Sequence, residues 1–151
     1  MTDSGYPRVM REWRRGTSLA QDSAVVHEGD AADVSVYMYR AQHRQHSYLV
    51  KGRAVTFYTS LNWVQLDAGD GTGEAWHGLK VPDDAEISLY GDQLLVQLRS
   101  AWEVTGAAGK RTYKQGSLLA AGICDFVRRG TAGTNDTRDA QCLHACIVHF
   151  N

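Results

Sequence analysis

Apolar residues in this chain come in short runs that alternate with polar ones, the period of half-buried β-strands. Val34, Val36 and Met38 point one way from such a run, and Ser35, Tyr37 and Tyr39 point the other. Leu94, Val96 and Leu98 share a face, while Leu95 joins Gln97 and Arg99 on the opposite one. Further runs predict strands over Ala24 to Glu28, Tyr48 to Tyr58, Leu61 to Leu66, Trp76 to Val81, Ile87 to Leu89, Trp102 to Val104, Thr112-Tyr113 and Ser117 to Ala120. Val9 to Arg15 fits a strand or a short helix. Gly52 interrupts its run and predicts a bulge or bend. Gly16-Thr17, Gly29-Asp30, Pro82-Asp83-Asp84 and Gly91-Asp92 read as turns, Gln42 to His46 as a polar loop, and Asp67 to Glu74 as a Gly-rich hairpin turn. Beyond Ala121 the alternation stops.

One stretch occurs twice. Asp30 to Tyr37 reads DAADVSVY, and Asp83 to Tyr90 reads DDAEISLY, 53 residues further on. Asp33 aligns with Glu86, Val34 with Ile87, Ser35 with Ser88, Val36 with Leu89 and Tyr37 with Tyr90. Each copy is an acidic turn leading into a strand. Each is preceded by a strand, a turn and a second strand. Repeats of about 40–50 residues made of short strands are the mark of β-propeller blades.

The totals narrow the function classes. At 151 residues the chain can hold one domain with a sizeable core. A net charge of −1 gives no field favouring nucleic acid or an anionic membrane. Two prolines and no low-complexity tract argue against disorder. No apolar run reaches membrane-spanning length, and polar Thr2 to Gly5 is not a signal peptide, so the compartment stays open. Cysteines occur only at 124, 142 and 146, which is not the spread of a disulfide framework.

Several residue groups invite a chemical reading. Arg8, Arg11, Arg14 and Arg15 around Trp13 resemble a nucleic-acid contact, but a solvated strand face explains them better in a chain that is not basic. His43 and His46 lack a third ligand at metal spacing. Asp67 to Glu74 has neither the alternating ligand order of a calcium loop nor the closing Gly-Lys-Ser/Thr of a phosphate loop. Cys142, His144, Cys146 and His149 are too crowded for a zinc site and have no second cluster, though a metal-binding tail is one reading of them. Gly116-Ser117-Leu118 is not a Gly-x-Ser-x-Gly elbow, and no such elbow occurs anywhere in the chain. No catalytic, cofactor-binding or metal-ligating residue is therefore assigned.

Taken in order, Thr2 to Val9, Trp13 to Leu19, Val25 to Gly29 and Asp33 to Val36 are similar to the N-terminal propeller of bacterial prolyl oligopeptidase-like serine peptidases. The more specific blocks are Val81 to Ala85, Gln93 to Ser100, Trp102, Thr112-Tyr113 and Gly116 to Ala120. The likeness runs through residues 2 to 121. It implies a seven-bladed propeller capping an α/β-hydrolase domain, whose Ser/Asp/His triad cleaves short peptides, often after proline. It implies that the propeller acts as a size filter for flexible peptides. With no elbow here, no catalytic residue of the family carries over.

The expected architecture is thus all-β. Residues 1–121 form a partial β-propeller of two to three antiparallel blades, and residues 122–151 an irregular tail, read as an out-of-frame or otherwise unrelated extension. Met1 reads as an internal start, since members of the family continue upstream. The expected role is non-catalytic gating within a serine-type endopeptidase. The expected partners are the remaining blades, the hydrolase domain and an oligopeptide, with no cofactor, nucleic acid or membrane. The rival is a self-contained β-sandwich that binds ligands or proteins through Tyr37, Tyr39, Tyr58 and Trp63. Pairing discriminates the two: blades pair chain neighbours, and a sandwich needs Greek-key crossings.

Overall fold

The computed structural model describes residues 1–66, 75–106 and 109–131. Within them the chain is built mainly of antiparallel strands. A first hairpin joins β1 (Val9–Glu12) to β2 (Ala24–Glu28), with a one-turn helix α1 (Leu19–Asp22) between them. A four-stranded sheet follows in strict chain order: β3 (Ser35–His43), β4 (His46–Ala54), β5 (Ser60–Gln65) and β6 (Trp76–Gly78). A three-stranded sheet comes next, with β8 (Gln93–Gln97) between β7 (Glu86–Tyr90) and β11 (Leu118–Gly122). The hairpin of β9 (Trp102–Gly106) and β10 (Gly109–Tyr113) leaves this sheet after β8 and returns to β11. Leu98 N donates to Ser117 O and Gly116 N to Leu98 O, closing the mouth of that excursion.

The main core fills the space between the two larger sheets. Val50 and Val64 from the first sheet and Leu94, Val96 and Leu119 from the second are essentially inaccessible. Register explains why. Ile87 and Leu119 both lie opposite Val96, and Leu89 and Ala121 both lie opposite Leu94. One face of the second sheet is therefore apolar across all three strands. Burying such side chains contributes about 1.5–3 kcal/mol each relative to exposure.

The first strand of each sheet uses its alternation differently along its length. On β3 the Val34/Val36 side does not enter the main core. Val36 is buried against the first hairpin, with its N–H bonded to Pro7 O and its methyl against Gly29. The opposite side, carrying Tyr37, Tyr39 and Ala41, faces the second sheet, as do Tyr48, Val50 and Val64 across the register. On β7 the aligned positions Ile87 and Leu89 pack into the core shared with the first sheet. In both copies of the repeat, the same apolar positions face the preceding unit.

Of the two forms open to Val9 to Arg15, residues Val9 to Glu12 take the strand. Several expectations are revised. Gln42 to His46 is no open loop: β3 runs to His43, which pairs with His46 across a tight turn, with Arg44 at φ 54°. Arg44 takes the left-handed role that a glycine or asparagine would advertise. Gly52 makes no bulge, because β4 pairs without a break on both sides. It is glycine because the Tyr37 ring lies where a Cβ would stand. The irregular tail begins with order: Ile123–Thr131 forms helix α2, and Ile123 and Val127, one turn apart, are buried in the core. The hairpin turn expected over Asp67 to Glu74 lies outside the described residues.

Candidate functional site

The acid of each repeat is fixed by an arginine near the open end of the following hairpin. Asp33, almost fully buried, accepts from Arg53 through both oxygens, Nε at 2.7 Å and Nη2 at 3.1 Å. Its Oδ2 also accepts from Asp30 N at 2.8 Å, and Arg53 reaches Asp30 as well. The Arg53 hydrogen bond holds the Asp33 carboxyl below the usual carboxylate range. In the second copy Glu86 pairs with Arg99 at the surface. These two arginines were missed in the sequence. The signal was there, since each acidic turn is followed by an arginine where its hairpin closes.

Beside the second clamp lies a cleft of about 410 Å³. Its floor is Tyr37 and Tyr39 on β3, with ring centroids 6.5 Å apart. Tyr37 Oη donates to Asn62 Oδ1 at 2.6 Å, and Asn62 Nδ2 donates to Ser60 Oγ at 3.1 Å, so the buried polar groups of the floor are satisfied. Burial, and secondarily Tyr37, pushes the Tyr39 phenol above its ordinary pKa. One rim is the β4–β5 turn. Val55 N bonds Thr59 O, and Thr56 Oγ1 accepts from both Tyr58 N and Thr59 N. That network fixes the turn while leaving Phe57 74 % and Tyr58 77 % exposed at its tip. The opposite rim is Asp83, Asp84 and Glu86 at the entry to β7.

A second cleft, about 350 Å³, lies between the β3–β4 and β7–β8 turns. His43 tilts against Tyr90 there, centroids 4.1 Å apart, and its buried Nδ1 has no hydrogen-bond partner.

The residues singled out in the sequence distribute as follows. Tyr37, Tyr39 and Tyr58 meet at the first cleft. Trp63 does not join them: it packs on the other face of the sheet, edge-on to His27. Phe57 and the carboxylates of Asp83 and Asp84 complete the cleft; the sequence showed them only as strand and turn residues. Arg8 pairs with Glu28, Arg11 with the Ser23 carbonyl, and Trp13 Nε1 donates to Thr17 O at 3.1 Å, all local structural contacts. His43 and His46 come together as a hairpin pair, and among the described residues no group of three His, Cys, Asp or Glu is placed to hold a metal. Ser117 lies just before β11, its carbonyl bonded to Leu98 N. Cys142, His144, Cys146 and His149 fall outside the described residues. No helix among the described residues is long and apolar enough to cross a membrane.

No protein-family model matches the sequence, and no curated protein matches it. Among solved structures, the fold is similar to that of a post-proline cleaving enzyme from Rickettsia typhi, with a TM-score of 0.77 and 19 % sequence identity. The superposition covers 99 % of this chain and 20 % of that one, so the chain spans about a fifth of the enzyme's length. In its fold, then, this all-β chain is similar to one part of a post-proline cleaving enzyme.

Proposed function

We propose that the chain forms consecutive blades of a β-propeller related to the prolyl oligopeptidase family. Its role is to gate short peptides on their way to a hydrolase domain, with no catalytic residue of its own. The observation that carries this reading is the fold likeness to a post-proline cleaving enzyme along nearly the whole chain. Strand pairing supports it. Each larger sheet is a meander or near-meander of chain neighbours, and among the described strands none crosses from one to the other. The repeat supports it too, since both copies open a sheet and turn the same apolar positions toward the preceding unit. The sandwich reading draws on the aromatic cleft but not on the pairing, which lacks Greek-key crossings among the described strands.

The reading predicts that the purified 151-residue chain leaves a peptide with an internal proline intact and takes no label from a serine-hydrolase fluorophosphonate probe, because nucleophile, base and oxyanion hole are not assembled. Proline-specific turnover would refute the non-catalytic role. The adjoining genomic DNA is expected to encode further strand–turn units and a Gly-x-Ser-x-Gly elbow. Unrelated coding sequence in every frame would remove the gating role.

A further inference from the structure

We infer that the cleft between the β4–β5 turn and the entry to β7 is a binding site for cationic peptide segments, with lysine or arginine side chains as the recognised groups. Three observations converge on it. Phe57 and Tyr58 are the most exposed large aromatics of the described residues, and they stand on a turn held rigid by Thr56 rather than on a loose loop. An aromatic pair fixed at a tip loses little freedom on binding and makes a ready anchor. The cleft also carries net negative charge. Its lining sets the carboxylates Asp83, Asp84 and Glu86 against the cation Arg99, which pairs with Glu86 and also feels the charge of Asp84. Finally, the floor is aromatic, with Tyr37 and Tyr39 presenting ring surface beside those carboxylates. Aromatic faces combined with carboxylates bind ammonium and guanidinium groups, the ring quadrupole and the carboxylate attracting the same cation. An anionic or purely apolar ligand would leave the two aspartates facing it unmatched. The inference rests on this cleft alone and stands whether or not the chain belongs to a peptidase.

The test is titration of the full 151-residue chain with tetralysine, followed by NMR shifts and tyrosine fluorescence. Fully acetylated tetralysine and tetraglutamate are the comparison peptides. Sub-millimolar binding of tetralysine is expected, with shifts confined to the cleft and with both comparison peptides at least about tenfold weaker. Asp83→Asn combined with Asp84→Asn removes the charge, and Phe57→Ser combined with Tyr58→Ser removes the aromatic tip. Each pair is expected to weaken tetralysine binding about tenfold, with circular dichroism unchanged, since all four side chains lie at the surface of the cleft. Two pairs are used so that a folding defect in one leaves the other decisive. Absence of sub-millimolar binding, equal binding of acetylated tetralysine, or binding unchanged in a folded variant pair would overturn the site.

Discussion

His27 shows how much one buried side chain ties together. It is 8 % exposed, its Nε2 donates to Gly52 O at 3.1 Å, and its ring meets Trp63 edge-on. It therefore anchors the first hairpin to the centre of the four-stranded sheet. Burial, outweighing the Gly52 bond, lowers its pKa. The unfolded chain then takes up a proton more readily than the folded one, so stability is full above the ordinary imidazole value of about 6.5 and is lost as pH falls through the folded value. His27→Gln keeps a donor for Gly52 and removes the titration. Thermal melts between pH 7.5 and pH 5 should show a falling midpoint for the native chain and a flatter one for the variant; parallel curves would deny His27 this role. Asp33, also lowered, acts in the same direction in a more acidic window. None of these contacts was legible in the sequence. Where Arg53 or Gly52 sits relative to Asp33 or Tyr37 is a matter of register, and alternation alone does not fix register.

Elements were legible where packing and local pattern agree. The strands around Ile87-Ser88-Leu89 and Leu94 to Leu98 are present where alternation places them, because one face meets core and the other meets solvent. The cleft was half legible: the tyrosines were candidates, while Phe57 and the two aspartates became partners only once β4–β5 and β7 were side by side. Helix α2 was missed for a different reason. The stretch after Ala121 carries its apolar residues at helical spacing, Ile123, Phe126 and Val127, in a chain read for a period of two. Ile123 is fully buried against the sheet it follows. Ile123→Ala should destabilise the chain by about 3 kcal/mol in urea unfolding, the cost of a cavity in a core that cannot collapse freely. A loss under about 1 kcal/mol would mean that α2 is dispensable to the core.

At the scale of the whole molecule, the balance is between a shared core and unprotected margins. Among the described strands β7 is hydrogen-bonded on one side only, to β8, and forms a margin of its sheet. Unpaired strand edges template association unless charge or shape prevents it. The isolated chain is expected to self-associate with rising concentration in light scattering. Ser88, exposed on β7, is the place to introduce a guard: Ser88→Lys should shift the chain toward monomer without lowering its melting point. Association that Ser88→Lys leaves unaltered would assign the contact to another surface.

Each unit leans on the one before it in the chain: Val36 on the hairpin of β1 and β2, Leu89 on the sheet of β3 to β6. That ordering gives the molecule a direction in time as well as in space. During synthesis, every newly emerged sheet finds its docking surface already made, and none waits for a segment still inside the ribosome. The growing chain can thus assemble as it is translated, leaving bare only the flank of its most recent addition.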